Sequence, residues 1–170
     1  MPSASHRGRA VHVQELIISA PRRLQDPQAQ RLTGFLRALG EYGLTLPDAW
    51  FFRTSTYEQG GAEMAQQFLQ LRDRPTAIAI VNDYVAMAFM VEVMRTGLRV
   101  PQDLSIIGHD NQPIAVYCPV PLTTMTQPVE QIVRKVADLA LDHLDTDPPD
   151  APRTLLLRGD LVQRASVIGI

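Results

Sequence analysis

Two hydrophobic periods alternate along this chain. Leu16-Ile17-Ile18, closed by Ser19-Ala20-Pro21, reads as a buried strand feeding a loop that runs through Pro27. Leu32, Phe35, Leu36 and Leu39 then recur at i, i+3, i+4 and i+7, one stripe of a helix that ends by Tyr42, with Gly43 as its terminator. Trp50-Phe51-Phe52 after Pro47 predicts a second strand. Tyr57 to Leu71 predicts a second helix facing inward through Met64, Phe68 and Leu71.

The alternation continues with a strand over Ala77 to Val81 and a helix over Val85 to Met94, closed by Gly97, then a strand over Leu104 to Gly108. The two strands start 27 residues apart, close to the ~30 of one strand, crossover helix and parallel strand. These elements predict an α/β fold with a doubly wound parallel sheet. Beyond Asp110 the texture turns proline-rich, and Leu122-Thr123-Thr124-Met125 reads as an edge strand among crossing loops. Val129, Ile132, Val133, Val136, Leu139, Ala140 and Leu144 define a strongly amphipathic helix. A linker over Asp145 to Pro152 separates it from two closing strand fragments, Thr154 to Leu157 and Leu161-Val162. The first dozen residues lack any period and read as a tail.

Composition narrows the function classes. With 170 residues, 45% of them hydrophobic and 20% charged, the chain is long enough to bury a core without disulfides or a structural metal. Sixteen basic against eighteen acidic side chains leave a net charge of −2, which lacks the electrostatic footprint of a domain that grips nucleic acid by itself. No apolar run reaches the ~20 residues of a membrane span, and the basic start has no apolar signal-peptide core. A single cysteine, Cys118, suits a reducing cytoplasm. Phosphate-binding, dinucleotide, zinc-protease and serine-hydrolase signatures are missing. The four histidines have no metal-ligand spacing, so neither metal nor cofactor is expected.

What remains is polar punctuation at strand ends. Asn82-Asp83 follows one predicted strand and His109-Asp110-Asn111 another, where open α/β sheets bind ligands because loops converge there and helix amino termini offer unpaired N–H groups. The same residues serve equally as helix caps and turn formers. Dividing the roles, Asp83 suits the cap and leaves Asn82 for the mouth of the crevice. Arg31, at the start of the first helical stripe, lies within reach of that mouth or else makes an ordinary surface ion pair. A guanidinium, a carboxylate and an amide together suit a polyhydroxylated or anionic small molecule.

Five blocks carry a resemblance: Arg31 to Phe35, Arg74 to Ile78 through Asn82-Asp83, Gly97 to Asn111, Pro121 to Pro128, and Leu161 to Ser166. In them, across residues 14 to 167, the chain resembles the carboxyl-terminal part of the LacI/GalR family of transcription regulators. The resemblance implies the second lobe of a periplasmic-binding-protein-like fold, with the first lobe mostly absent: residues 1–13 a tail, 14–126 the second-lobe effector domain, 127–158 a helix and strand belonging to the first lobe, and 159–170 a closing strand. It implies a sugar-like effector held by Arg31, Asn82 and Asp110, with an aromatic position near Thr56 and Tyr57. His109 stands where the family usually has Phe or Tyr. It also implies a homodimer paired through Met87, Met90, Tyr117 and Cys118, and DNA contact only through an amino-terminal helix-turn-helix outside this chain.

The expected activity is therefore effector binding with no bond chemistry. The alternatives are a solute-binding protein of a transporter, and an enzyme using Asp110 and His109 as acid and base. Two features raise the question of association. Val85 to Met94 is apolar on every face, so it is either covered on two sides within the chain or paired with a neighbour. The stripe from Val129 to Leu144 needs a partner too, either the chain's own sheet or a second chain.

Overall fold

The computed structural model describes residues 16–21, 26–80, 82–145 and 155–168. The expected tail, the linker after Asp145, and Thr154 lie outside them. Among the described residues six strands form one sheet in the order β2-β1-β3-β4-β5-β6, comprising β1 (Leu16–Pro21), β2 (Phe51–Thr54), β3 (Ala77–Ala79), β4 (Ser105–Asp110), β5 (Thr123–Thr126) and β6 (Leu161–Val162). All neighbours are parallel except β6, which runs antiparallel to β5. The connections carry helices α1 (Asp26–Glu41), α2 (Glu58–Gln70), α3 (Asp83–Arg95) and α4 (Ile114–Tyr117), while α5 (Val129–Asp145) lies between β5 and β6. The doubly wound α/β sheet is thus as the hydrophobic periods predict. No helix among the described residues is long and apolar enough to cross a membrane.

The core lies where α2 and α3 cover the sheet. Met64, Ala65 and Phe68 of α2 meet Val85, Phe89, Met90 and Val93 of α3 above Ile78 and Ile106, and the Phe68 and Phe89 rings stack edge to face at 5.5 Å and 78°. Gly61 permits this approach, since a Cβ there would run into the carbonyl oxygen of Val85. The all-round apolarity of α3 therefore has an internal cause, because the sheet, α2 and α4 cover it on several sides.

Three readings need correction. Trp50 belongs to a 3-10 turn, Asp48–Trp50, that precedes β2. β5 is not an edge strand, since β6 pairs beside it. Its threonines satisfy their hydroxyls inside the fold: that of Thr124 donates to Asp83 and that of Thr123 accepts from the Arg164 N–H. The fragment before β6 makes no strand, and residues 155–160 run without regular structure. The carboxyl-terminal segment is stitched down by Ser166, whose hydroxyl donates to the Ile106 carbonyl at 2.6 Å and accepts from the Thr123 N–H at 2.8 Å.

Helix α5 breaks the pattern. Val129, Ile132, Val133 and Val136 are 39 to 61% exposed, so the expected repacking onto the chain's own sheet does not occur. A hollow of about 260 Å³ lies on its other side, lined by Glu130, Gln131, Arg134 and Lys135 together with Leu157. From Val129 to Asp142 every side chain but Leu139 is exposed, so the helix stands open to solvent on its polar and apolar faces alike.

Candidate functional site

At the carboxyl end of β4 the backbone leaves the strand through two residues in left-handed conformation, Asp110 at φ 101° and Asn111 at φ 49°. Neither is glycine, so the turn is held against a local cost of order 1–3 kcal/mol, a feature that clusters at functional sites. The Asp110 side chain there is 21% exposed. Oxygen Oδ1 receives the Gln127 amide at 2.7 Å and sits 2.7 Å from His109 Nδ1, and Arg31 Nη2 approaches it to 4.0 Å. Partial burial works to raise the Asp110 pKa. The hydrogen bonds from His109 and Gln127, with the nearby His109 and Arg31 charges, outweigh it and hold the carboxyl below its ordinary range. The group stays anionic at neutral pH.

Arg31 and Asp110 therefore come together as the sequence predicts, with His109 beside them. Asn82 does not join them by contact. Its Oδ1 accepts from the Val85 N–H at 2.9 Å, capping α3, and its Nδ2 donates to the Thr56 carbonyl at 2.8 Å. The division of roles expected for Asn82 and Asp83 does not hold: Asn82, not Asp83, is the cap, and it ties the loop before α2 to the end of β3. Thr56 contributes its carbonyl to that tie, and the Tyr57 ring stands exposed at the start of α2.

Asp83, expected as the cap, has a different task. It is wholly buried, accepting the Thr124 hydroxyl at 2.6 Å on Oδ1 and the Gln112 N–H at 2.7 Å on Oδ2. Gly108 leaves the space it needs, since a Cβ there would collide with Asp83 Oδ1. Burial pushes the Asp83 carboxyl up, against the lowering pull of those two hydrogen bonds, and the neighbouring Asp110 charge adds to the rise. Asp83 thus spans β4, β5 and the loop after Asn111 from beneath, bracing the turn that presents Asp110. Gln127 was also missed. It lies inside the Pro121 to Pro128 block, but nothing in its spacing marks it as a partner of a residue seventeen positions earlier.

The residues expected to pair two copies separate. Met90 at 0% exposure and Cys118 at 5% belong to the chain's own core, so neither can present its side chain to a neighbour. Met87 is half-buried against the same core, and only Tyr117, 79% exposed, projects from the surface. Burial also raises the Cys118 thiol to about 11, which keeps it protonated and unreactive.

Comparison with known proteins agrees with the fold that carries these residues. The family model of the periplasmic binding protein-like domain matches residues 9–167. The HTH-type transcriptional repressor PurR of Aliivibrio salmonicida (strain LFI1238) is 35% identical over 138 residues, covering 81% of this chain and 41% of the relative. The Escherichia coli transcriptional repressor ascG superposes with a TM-score of 0.80 at 26% identity, over 92% of this chain and 56% of that one. A sugar-binding transcriptional regulator of the LacI family from Escherichia coli, solved with phosphate, gives 0.81 at 26% identity, over 91% and 55%. The chain spans about two fifths of the length of the PurR repressors it matches. Its sheet order, its crossover helices and a match over nearly its whole length agree: this chain belongs to the periplasmic binding protein-like domain family, as an effector-domain segment of the LacI/GalR type.

Proposed function

We propose that this chain binds a small polar effector at the carboxyl end of β4, as the effector-binding part of a cytoplasmic LacI-type transcription regulator. The observation that carries the reading is the Asp110 carboxylate, anionic, presented by a left-handed turn and flanked by Arg31, His109 and Gln127. Since those donors converge on Oδ1, Oδ2 is the oxygen that accepts from a ligand hydroxyl, while the Arg31 fork takes a ligand oxygen. That pairing suits a sugar-like polyol, in keeping with the sugar-binding description of one structural relative. Tyr57, exposed beside the Thr56 loop that Asn82 tethers, supplies a ring to lie against the apolar face of such a ligand. Effector binding would shift the regulator between two states, with DNA engaged by a segment outside this chain.

Isothermal titration against a panel of mono- and disaccharides tests the reading. A saturable heat with one sugar that Asp110→Ala weakens by about 100-fold, the worth of a charged hydrogen bond, is the expected result. No heat with any polyol, or binding untouched by Asp110→Ala and Arg31→Ala, overturns it. The 2.7 Å contact between His109 Nδ1 and Asp110 is a feature an acid–base enzyme would use. Turnover of a substrate lost in Asp110→Ala would favour that reading instead.

A further inference from the structure

We infer that Arg164 is a positioning residue of the effector site: its guanidinium holds Asn111 in the left-handed turn and thereby fixes the place of the Asp110 carboxylate. The inference rests on the reading of that turn as part of the effector site. Arg164 follows β6, in the block Leu161 to Ser166, and stands 53 residues beyond Asn111 in the sequence.

Asp110 and Asn111 both lie at positive φ, and a non-glycine pair keeps such angles only where its surroundings over-determine them. Downstream, the Gln112 N–H donates to Asp83 Oδ2 at 2.7 Å, and the Asn111 N–H reaches the Thr124 hydroxyl at 3.3 Å. Those ties hold backbone. Arg164 holds the side chain: its Nη2 donates to Asn111 Oδ1 at 2.8 Å while its Nη1 donates to the Leu122 carbonyl at 2.7 Å. The guanidinium therefore bridges the entry to β5 and the exit from β4.

This strut is itself anchored. The Arg164 N–H donates to the Thr123 hydroxyl at 2.9 Å, the Ala165 N–H to the Pro121 carbonyl at 3.0 Å, and the Ser166 hydroxyl joins Ile106 to Thr123 two residues further on. Arginine suits the task because the two nitrogens of its rigid fork reach two acceptors at once, whereas an ammonium is a single point. Since Asn111 Oδ1 is committed to Arg164, the pair acts on a ligand through the residue before it, Asp110.

Two measurements on Arg164→Ala test this. Amide hydrogen exchange reads the turn without any ligand. The Gln112 amide should exchange at least about 10-fold faster, against the Val93 amide in the core as the reference for global unfolding. Isothermal titration reads the consequence, with the mono- or disaccharide that Asp110→Ala weakens as the probe. Its dissociation constant should rise about 3–10-fold. Arg164→Lys keeps the charge and the stem but not the fork, so the same two shifts should appear in a variant that loses less packing. Asn111→Gly takes the left-handed conformation without strain and has no side chain to hold, so adding Arg164→Ala to it should change the dissociation constant by less than about 2-fold. An unaltered Gln112 exchange rate overturns the inference. A loosened turn with unchanged sugar affinity overturns it too, leaving Arg164 a part in folding alone, as do effects of Arg164→Ala and Asn111→Gly that simply multiply. A chain that binds no sugar sinks the effector reading by itself, and the exchange rates still decide whether Arg164 holds the turn.

Discussion

Helices α3 and α5 offer opposite lessons in how apolar residues are used. α3 has little one-sidedness in its sequence, yet Val85, Ala86, Phe89, Met90 and Val93 are all buried because sheet and helices meet it from several directions. α5 has a clean stripe, yet Val129, Ile132, Val133 and Val136 lie open to solvent. Periodicity reports which side of a helix avoids water. It carries no information about what covers that side, since covering depends on long-range neighbours that a local pattern never encodes.

Substitutions sharpen this contrast. Phe89→Ala removes a ring wedged between Phe68 and the sheet and should cost about 3–5 kcal/mol in urea unfolding. A loss below about 1 kcal/mol would mean that the two-sided burial of α3 matters little. Gly108→Ala drives a methyl group into the Asp83 carboxylate, and we expect a loss of about 1–3 kcal/mol with weakened effector binding, read by thermal melting and titration on one sample.

Asp83→Ala strands the Gln112 N–H and the Thr124 hydroxyl and should cost about 1–3 kcal/mol, whereas Asp83→Asn keeps an acceptor and costs less. The pH dependence separates the two roles of that carboxyl. Its pKa in the fold lies above the ordinary value of 3.8, so the native state holds more protons than the unfolded chain in the interval between them, and stability falls as pH rises through that interval. Asp83→Asn should abolish that component of the pH profile.

On α5, by contrast, Val136→Ala should change the stability of the dilute monomer by less than about 0.5 kcal/mol, because the side chain is exposed. A larger loss would show that the stripe is covered within the chain. The smallest effect belongs to Arg99 and Asp103, a solvent-exposed pair joined by hydrogen bonds of 2.7 and 2.9 Å. The hydrogen bonds from Arg99 lower Asp103 to about 2, so its contribution is present above pH 3.8 and fades as pH falls toward 2. Arg99→Ala should flatten only that acid limb of the melting curve.

The site was half legible. Asp110 could be placed because it closes a strand run, and Arg31 because it heads the apolar stripe of α1, although the helix itself begins five residues earlier at Asp26. Asn82 and Asp83 could not be told apart, because either side chain can cap a helix, and the choice was made by Gly108 and Thr124, which open a buried slot that only Asp83 enters. Gln127 was invisible for the same reason, since its partnership with Asp110 exists only once β4 and β5 lie side by side in register. The interior position of β5 was hidden by its own threonines, which look like surface residues until their hydroxyls find partners.

From its sequence alone this protein's order of strands and helices, its parallel sheet and its likeness to one regulator family could be read, because period, punctuation and motif blocks are local properties of the chain. Which acid is buried, which amide caps a helix and which apolar face stays open were decided by tertiary structure. Each depends on what distant segments bring within a few ångströms, and burial is a property of that assembled neighbourhood.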